Sequence, residues 1–122
     1  MSCYSSLNVI KKRRDFVWAA RAKSKGTRGM MLQARARGTS ENVSARAIRV
    51  GYTCSKKVGN AVLRNRAKRR LREVARIVLS EYGHPGWDYV LIGRAKETAT
   101  RDFQALQSDL QYALRMVHII NR

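Results

Sequence analysis

Basic side chains are concentrated in one short segment, residues 55–78, with the sequence SKKVGNAVLRNRAKRRLREVARIV. Between Ser55 and Arg76 it has nine lysines and arginines and a single acid, Glu73. Such a segment could bind a polyanion, and arginine in particular binds phosphate oxygens in pairs and stacks on bases. The basic residues are Lys56, Lys57, Arg64, Arg66, Lys68, Arg69, Arg70, Arg72 and Arg76.

Apolar residues within this segment recur at helical spacing, so we expect a helix from about Asn60 to Leu79. At about 100° per residue the apolar side chains fall in one arc that can pack on a sheet, and basic side chains cover the rest. Basic neighbours four residues apart repel, which lowers helix stability, and only Arg69 has an acid, Glu73, at that spacing. We infer that an external polyanion compensates this face. The apolar arc comprises Leu63, Ala67, Leu71, Val74, Ala75 and Val78.

Residues before and within this helix offer further contacts to anions or bases. Asn65 lies between two arginines, and its amide can both donate to and accept from a base edge, a ribose or a phosphate. Ser55, Asn60 and the backbone N–H groups of the first turn would lie at the positive end of the helix, where anions bind. Gly59 would permit a tight turn from a strand into the helix.

The whole chain is strongly basic, with a formal net charge of +18 over 122 residues. This charge opposes compaction by self-repulsion, and a nucleic acid or an anionic membrane surface would relieve it. A hydrophobic fraction of 44% supports a modest core, so we expect one domain over residues 1–122 with a loose N-terminus at 1–6. The sequence has no apolar run of membrane-spanning length and no secretory signal pattern, which favours a cytoplasmic protein.

Periodicity predicts the elements around the basic helix. In residues 46–55, Ile48 and Val50 alternate with Arg49 and Gly51, which is typical of a strand with one buried face. The order of elements predicts an α/β fold, α-β-β-α-β-α, in which helices pack on a three- or four-stranded sheet. Besides the basic helix, we expect a helix at 7–22, a turn at 24–29, strands at 30–36, 46–55 and 87–95, a hairpin loop at 37–45, and a helix at 97–118 capped by Thr100.

The sequence gives little sign of catalysis by the protein itself. Its eight acids are scattered and lack the clustered spacing that a metal-dependent nuclease needs. His84 and His118 could form a general acid–base pair, but their positions in a turn and near a helix end favour incidental roles. In a reducing cytosol Cys3 and Cys54 would stay thiols, with Cys54 as a small core residue.

The residues RVGYTCSKKVGNAVLRNRAKRRLREVAR, 49–76, resemble the signature region of the bacterial ribonuclease P protein component, in which Arg64–Asn65–Arg66 matches the hallmark motif. The resemblance extends to IKKRRDFVWAARA, where Asp15–Phe16 matches a typical pair of the N-terminal helix. It also includes WDYVLIGR and DFQALQSDLQYAL, which are similar to the last long strand and the C-terminal helix. Nearly the whole chain is therefore covered.

The resemblance implies that this chain is the non-catalytic RNA-binding subunit of a ribonucleoprotein endoribonuclease. An RNA would catalyse removal of the 5′ leader from precursor tRNA, with Mg2+ held mainly by the RNA, and no further protein partner or membrane would be required. The family fold also implies a left-handed crossover between two parallel strands. The implied contacts to the catalytic RNA are Lys56, Lys57, Asn60, Arg64, Asn65, Arg66, Lys68, Arg69 and Arg72, and those to the leader are Phe16, Met31 and Gln33.

One departure from the family pattern concerns the leader contacts. Many relatives have a second aromatic residue one turn after Phe16, where this chain has Ala20, and Trp18 lies on a different face of the helix. Two alternatives to the family function stay open on the residues alone, a structural RNA-binding protein of the ribosomal type and a basic membrane-surface module. The membrane module is disfavoured because the sheet needs the apolar arc and no Trp or Phe lies between the basic residues.

Overall fold

A five-stranded mixed sheet organises the computed structural model, which describes residues 7–37 and 47–119. The strand order is β1-β4-β5-β3-β2; β4 is parallel to β1 and β5, and β3 is antiparallel to β5 and β2. The strands are β1 (Leu7–Val9), β2 (Lys23–Gly26), β3 (Met30–Ala36), β4 (Ile48–Thr53) and β5 (Trp87–Gly93). The helices are α1 (Arg13–Ala20), α2 (Ala61–Tyr82), α3 (Glu97–Thr100) and α4 (Phe103–Ile119), with a 3-10 turn at Lys56–Val58.

The α/β fold class predicted from the sequence is confirmed, and the sheet has five strands rather than three or four. The helix expected at 7–22 is wrong in its first part, because Leu7–Val9 pairs in parallel with Ile48–Val50 as β1. The turn expected at 24–29 is wrong in its first part too, because Lys23–Gly26 forms the edge strand β2. Both strands are short and are held by backbone pairing, which leaves little periodic signal in their side chains.

Two further differences concern connections. A hairpin at 37–45 is wrong because β5 lies between β3 and β4 in the sheet, and residues 38–46 themselves lie outside the described residues. The helix expected at 97–118 is divided into α3 and α4. Asp102 caps α4, since its Oδ2 accepts from the Ala105 backbone N–H at 3.2 Å, whereas the predicted cap Thr100 donates its hydroxyl to the Lys96 carbonyl.

The main core lies between the sheet and the layer formed by α2 and α4. Val50, Leu32 and Leu91 are buried on this face of the sheet, beneath Leu71 of α2 and Leu110 of α4. The strands β4 and β5 are adjacent, parallel and joined through α2, as the implied crossover requires; its left-handed sense stays a prediction. Ile48 and Val50 are buried on this face as predicted, but the prediction that β4 has only one buried face is wrong, because Gly51 on the other face is buried too.

The opposite face of the sheet is covered by α1, so Gly51 of β4 is buried as well. A small apolar cluster of Ile10, Ala19 and Val90 packs there, with Phe16 against it. A β-carbon on Gly51 would lie 2.5 Å from Cε1 of Phe16, so only glycine lets the ring approach the sheet so closely.

Beside this cluster, the carboxylate of Asp88 is fully buried and binds three arginines. Its oxygens accept from Arg49 Nε at 2.8 Å and Nη2 at 2.6 Å, from Arg37 Nη1 at 2.8 Å and from Arg35 Nη1 at 3.2 Å. Arg49 also contacts Asp15 of α1, with Nη1 and Oδ2 3.4 Å apart. Two acids that are scattered in the sequence thus meet at one arginine, and this network attaches α1 to the sheet.

A second polar cluster joins the turn before β5 to the end of α4. The rings of His84 and His118 stack with centroids 3.5 Å apart. The backbone N–H of His84 donates to the hydroxyl oxygen of Tyr89 at 2.9 Å, and that hydroxyl lies 2.8 Å from Nε2 of His118. The hydroxyl can donate its proton to Nε2 only when the imidazole is neutral. Burial, together with His84 and Lys23 nearby, lowers the pKa of His118 to about 4.

The free energy of unfolding should therefore fall as the pH is lowered from about 6.5, the ordinary pKa of histidine, to about 4. In this window the unfolded chain protonates His118 and the folded chain does not, so protons favour unfolding. We expect a contribution of about 1–2 kcal/mol, below the full value of the shift because the ring is partly solvated. Urea unfolding at several pH values in this window would measure it.

The His118→Gln variant isolates this contribution from that of other acid-sensitive groups. Glutamine keeps a polar side chain beside Tyr89 but does not titrate, so the variant should lose stability less steeply than the parent on acidification. Identical slopes in the two proteins would mean that His118 does not contribute to the pH dependence.

Candidate nucleic-acid interface

The basic segment starts where β4 leaves the sheet, and local hydrogen bonds fix its shape. The Ser55 hydroxyl accepts from the Lys57 N–H at 3.2 Å, which caps the 3-10 turn. The Asn60 Oδ1 accepts from the Leu63 N–H at 3.0 Å and caps α2. Gly59 between the two has a φ of 142°, a conformation that favours glycine. Asn60 therefore has a structural role as well as a predicted RNA contact.

The residues predicted to bind the catalytic RNA lie together on the surface of this segment, and we call them the basic surface. Most are exposed, while Arg64 and Lys68 are partly buried. Within residues 7–37 and 47–119, none of the seven cations among them is ion-paired with a carboxylate. The basic surface comprises Lys56, Lys57, Asn60, Arg64, Asn65, Arg66, Lys68, Arg69 and Arg72.

One flank of the basic surface follows the end of β4. The guanidinium of Arg72 lies 5.6 Å from the centre of the Tyr52 ring, and Arg64 Nη1 is 3.4 Å from the Gly59 carbonyl oxygen. Burial raises the pKa of the Cys54 thiol, and the positive charge of Lys68 opposes this rise. Cys54 packs against the main core while only partly buried, so it is neither fully enclosed nor activated.

The other flank of α2 faces the end of α3. Arg66 Nε donates to the Ala99 carbonyl at 2.9 Å, and Arg70 donates to the same carbonyl and to that of Arg101. Arg70 also lies 5.8 Å from the centre of the Phe103 ring. Desolvation, and then the charge of Arg66, lowers the pKa of Arg70. Arg70 therefore stabilises the fold by joining α2 to the end of α3. Arg66 makes its bond through Nε and remains exposed, so the rest of its guanidinium can contact a ligand.

The apolar arc and the ion pairs of α2 differ from the sequence prediction at two positions. Leu63 is 42% exposed, like its neighbours Ala61 and Val62 in the first turn of α2, so its place in the buried arc is wrong. Glu73 pairs with Arg76 and not with Arg69, which leaves Arg69 available to an external anion. The remaining members of the predicted arc, from Ala67 to Val78, are buried.

The predicted leader contacts share the face of the sheet that α1 covers, and we call this region the cleft. Phe16 packs on this face against the small apolar cluster that includes Val90, and Ile92 of β5 packs against the same cluster. In the sheet register Met31 pairs with Ile92 and Gln33 with Val90, so both side chains belong to the same face. Phe16, Met31 and Gln33 are each partly buried and can contact a ligand. Ala20 is exposed and adds no ring.

The basic surface and the cleft lie on opposite faces of the sheet, because α2 packs on one face and α1 on the other. They approach each other at the end of β4, where Gly51 contacts Phe16 and the chain continues into Lys56 and Lys57. A structured RNA bound to α2 and a single strand in the cleft could therefore meet at this end of the sheet.

The described residues offer no ready site for a metal ion. Among them, no group of three or more His, Cys, Asp or Glu side chains could hold one, and the acids nearest the cleft, Asp15 and Asp88, bind arginines instead. No helix in residues 7–37 and 47–119 is long and apolar enough to span a bilayer.

Comparison with known proteins gives a consistent result. A family model described as Ribonuclease P matches residues 5–118. The Ribonuclease P protein component of Ruegeria pomeroyi is 60% identical over 114 residues, 93% of this chain and 89% of the relative. That of Paramagnetospirillum magneticum is 44% identical over 117 residues, 95% of this chain and 86% of the relative.

Two solved structures have a similar fold. The RNase P protein of Staphylococcus aureus superposes with a TM-score of 0.68 at 28% identity, covering 88% of this chain and 93% of that one. The RNase P protein of Thermotoga maritima gives a TM-score of 0.68 at 27% identity, covering 88% and 96%.

Proposed function

The chain belongs to the ribonuclease P protein family and is a protein subunit of ribonuclease P, and from this premise we propose that it binds two RNA elements. Its basic surface binds the catalytic RNA, and its cleft binds the 5′ leader of precursor tRNA. The RNA catalyses endonucleolytic removal of the leader in the cytoplasm, and the protein positions the substrate.

The observation that carries this proposal is the uncompensated charge of the basic surface. Five cations on α2 and two in the turn before it have no ion-paired carboxylate in the described part of the chain. RNA phosphates compensate such charge and release counterions on binding, which drives association. Arg64 and Arg66 flank Asn65, so two guanidinium groups can bind phosphates while the amide between them contacts a base or a ribose.

Mg2+ in this proposal is bound mainly by RNA phosphates. The described residues do not offer the several oxygen ligands that this ion prefers, so the protein acts on Mg2+ only indirectly. Neutralising phosphate repulsion between the catalytic RNA and its substrate lowers the concentration of Mg2+ that their association needs. The protein should therefore matter most where Mg2+ is scarce.

Cleavage of a precursor tRNA at low Mg2+ tests the proposal. The catalytic RNA alone should cleave slowly, the protein alone should cleave nothing, and the two together should release the leader rapidly. Raising the Mg2+ concentration should narrow the difference between the RNA alone and the complex. The absence of stimulation at every Mg2+ concentration would contradict the proposal.

The Phe16→Ala variant tests the cleft. If the ring stacks on an unpaired base of the leader, its removal should weaken binding of leader-bearing substrate by about 1–3 kcal/mol. Binding of mature tRNA, which lacks the leader, should not change. The measurement compares the affinity of the complex with catalytic RNA for the two tRNAs.

Phe16→Leu is the matched control, because Phe16 also packs against the sheet beside Gly51. Leucine keeps apolar volume there but cannot stack, so the variant should fold like the parent and still lose leader affinity. Equal affinity of the parent and Phe16→Leu for the leader would assign Phe16 a packing role alone.

A further inference from the structure

A shallow, open groove lies beside α1, on the side away from the cleft, and is lined by Trp18, Arg21, Ala22 and Arg35. We call it the Trp18 groove. Phe16 and Trp18 are separated by about 200° around the helix. Phe16 contacts Gly51, whereas Trp18 lies over Arg35 of β3, whose register partner on β5 is Asp88. The two aromatic rings therefore belong to opposite sides of α1.

Trp18 is 39% exposed although its side chain is large and mostly apolar. The guanidinium carbon of Arg35 lies 4.7 Å from the centre of the indole, and that of Arg14, one helical turn earlier, lies 5.4 Å from it. Arg14 and Arg21 are exposed. The groove thus combines an accessible ring with several cations.

The base of the Trp18 groove is rigid because Arg35, which forms it, is bound by the buried carboxylate of Asp88. Its Nη1 lies 3.2 Å from Oδ2 of the fully buried Asp88, and only 16% of the Arg35 side chain is exposed. The same carboxylate binds Arg37 and Arg49. Arg35 is therefore fixed in place and supports the indole in one orientation, so a ligand that stacks there finds a preorganised platform.

We propose that the Trp18 groove binds an unpaired nucleotide of RNA. The base stacks on the indole, displacing the exposed Arg14 side chain, and the phosphate is bound by Arg14 or Arg21. Ring stacking combined with arginine charge is the chemistry by which proteins bind single-stranded RNA with little sequence preference. This inference rests on the proposed function, and it adds a second contact that does not depend on Phe16 or on the basic surface.

Tryptophan fluorescence reports this contact directly, because stacking on a base quenches indole emission. The chain has two tryptophans, so a Trp87→Phe variant leaves Trp18 as the sole reporter. We would titrate this variant with the catalytic RNA, with that complex plus precursor tRNA or mature tRNA, and with a short oligouridylate as a generic single strand. Phe16→Ala in the same background should leave the quenching of Trp18 unchanged.

Each arm of the titration has a defined meaning. Quenching by catalytic RNA assigns the nucleotide to that RNA, and quenching that needs the precursor and not mature tRNA assigns it to the leader. Unchanged Trp18 emission when catalytic RNA and precursor are demonstrably bound would overturn this inference and leave the proposed function intact. Failure of the protein to bind catalytic RNA would contradict the proposed function. In that case, quenching of Trp18 emission by the oligouridylate would still show whether the Trp18 groove binds a nucleotide, and unchanged emission would overturn this inference as well.

Affinity measurements complete the test. Trp18→Ala should weaken binding of the RNA identified by quenching by about 5- to 150-fold, which is the value of one stacked base. Trp18→Phe should restore most of that affinity, because it keeps an aromatic ring. Equal affinities of the parent and Trp18→Ala for every RNA would show that the indole merely covers Arg35.

Discussion

The Asp88→Ala variant should lose about 3–5 kcal/mol of unfolding free energy, because it leaves buried positive charge without its counter-charge. Asp88 is fully buried and binds Arg35, Arg37 and Arg49, whose side chains are 3–16% exposed. Removing the carboxylate forces these guanidinium groups to repel one another or to reach for water by disturbing the sheet. Urea unfolding of the parent and the variant would measure the loss.

Glu73→Ala is the matched control, because it raises the net charge by the same single unit. Glu73 pairs with Arg76 at the surface, where both side chains are about half exposed or more, and water and salt screen such pairs so that they contribute little to stability. Similar losses in the two variants would mean that total charge, and not the buried network, limits stability.

The network at Asp88 also links stability to the cleft and the Trp18 groove, the two features beside α1 that we propose to bind RNA. Through Arg49 it contacts Asp15, the residue before Phe16, and through Arg35 it supports Trp18. A variant that weakens the network without unfolding the chain, such as Asp15→Asn, should therefore affect the cleft more than the basic surface. We infer that the acid of the Asp15–Phe16 pair positions the ring, which we propose contacts the leader.

The longest elements were predictable from sequence because their periodicity is local. The helix α2 and the strand β5 were placed within a few residues of their observed bounds. The edge strands β1 and β2 were not, because LNV and KSKG gain their conformation from backbone pairing with β4 and β3. A short polar segment becomes a strand only when a neighbour offers hydrogen bonds, and sequence does not say which neighbours meet.

The same distinction holds for the candidate site. The place of the basic surface on α2 follows from spacing within one helix and could be predicted, but the partial burial of Arg64, Lys68 and Arg70 could not. Tertiary contacts could not be predicted in the same way, which is why the bond from Arg66 to Ala99 was missed. The meeting of Asp15, Arg49 and Asp88 depends on three distant segments and on the sheet register, and the leader contacts came from family resemblance alone.

The Arg64→Ala, Arg66→Ala double variant should weaken binding of the catalytic RNA by about 3–6 kcal/mol, if each arginine makes an independent charge-assisted hydrogen bond to phosphate. The logarithm of affinity against the logarithm of salt concentration should also become less steep, by up to about 0.7–0.9 for each phosphate that the variant no longer binds. Filter binding over a range of salt concentrations would give both quantities. The slope distinguishes two reasons for a loss of affinity. Loss of phosphate contacts reduces the number of counterions released on binding and so lowers the slope by a defined amount, whereas misfolding lowers affinity without such a defined change.

The matched control combines Arg76→Ala with Arg115→Ala. It also removes two positive charges, but from exposed positions outside the basic surface. If the affinity for RNA depends only on the net charge of +18, the control and the double variant should show similar losses of affinity and similar decreases in salt dependence. If the cations near the start of α2 contact phosphates, the control should stay close to the parent. The basic surface is a binding site only if the positions of its charges matter, so equal losses in the two proteins would remove that assignment.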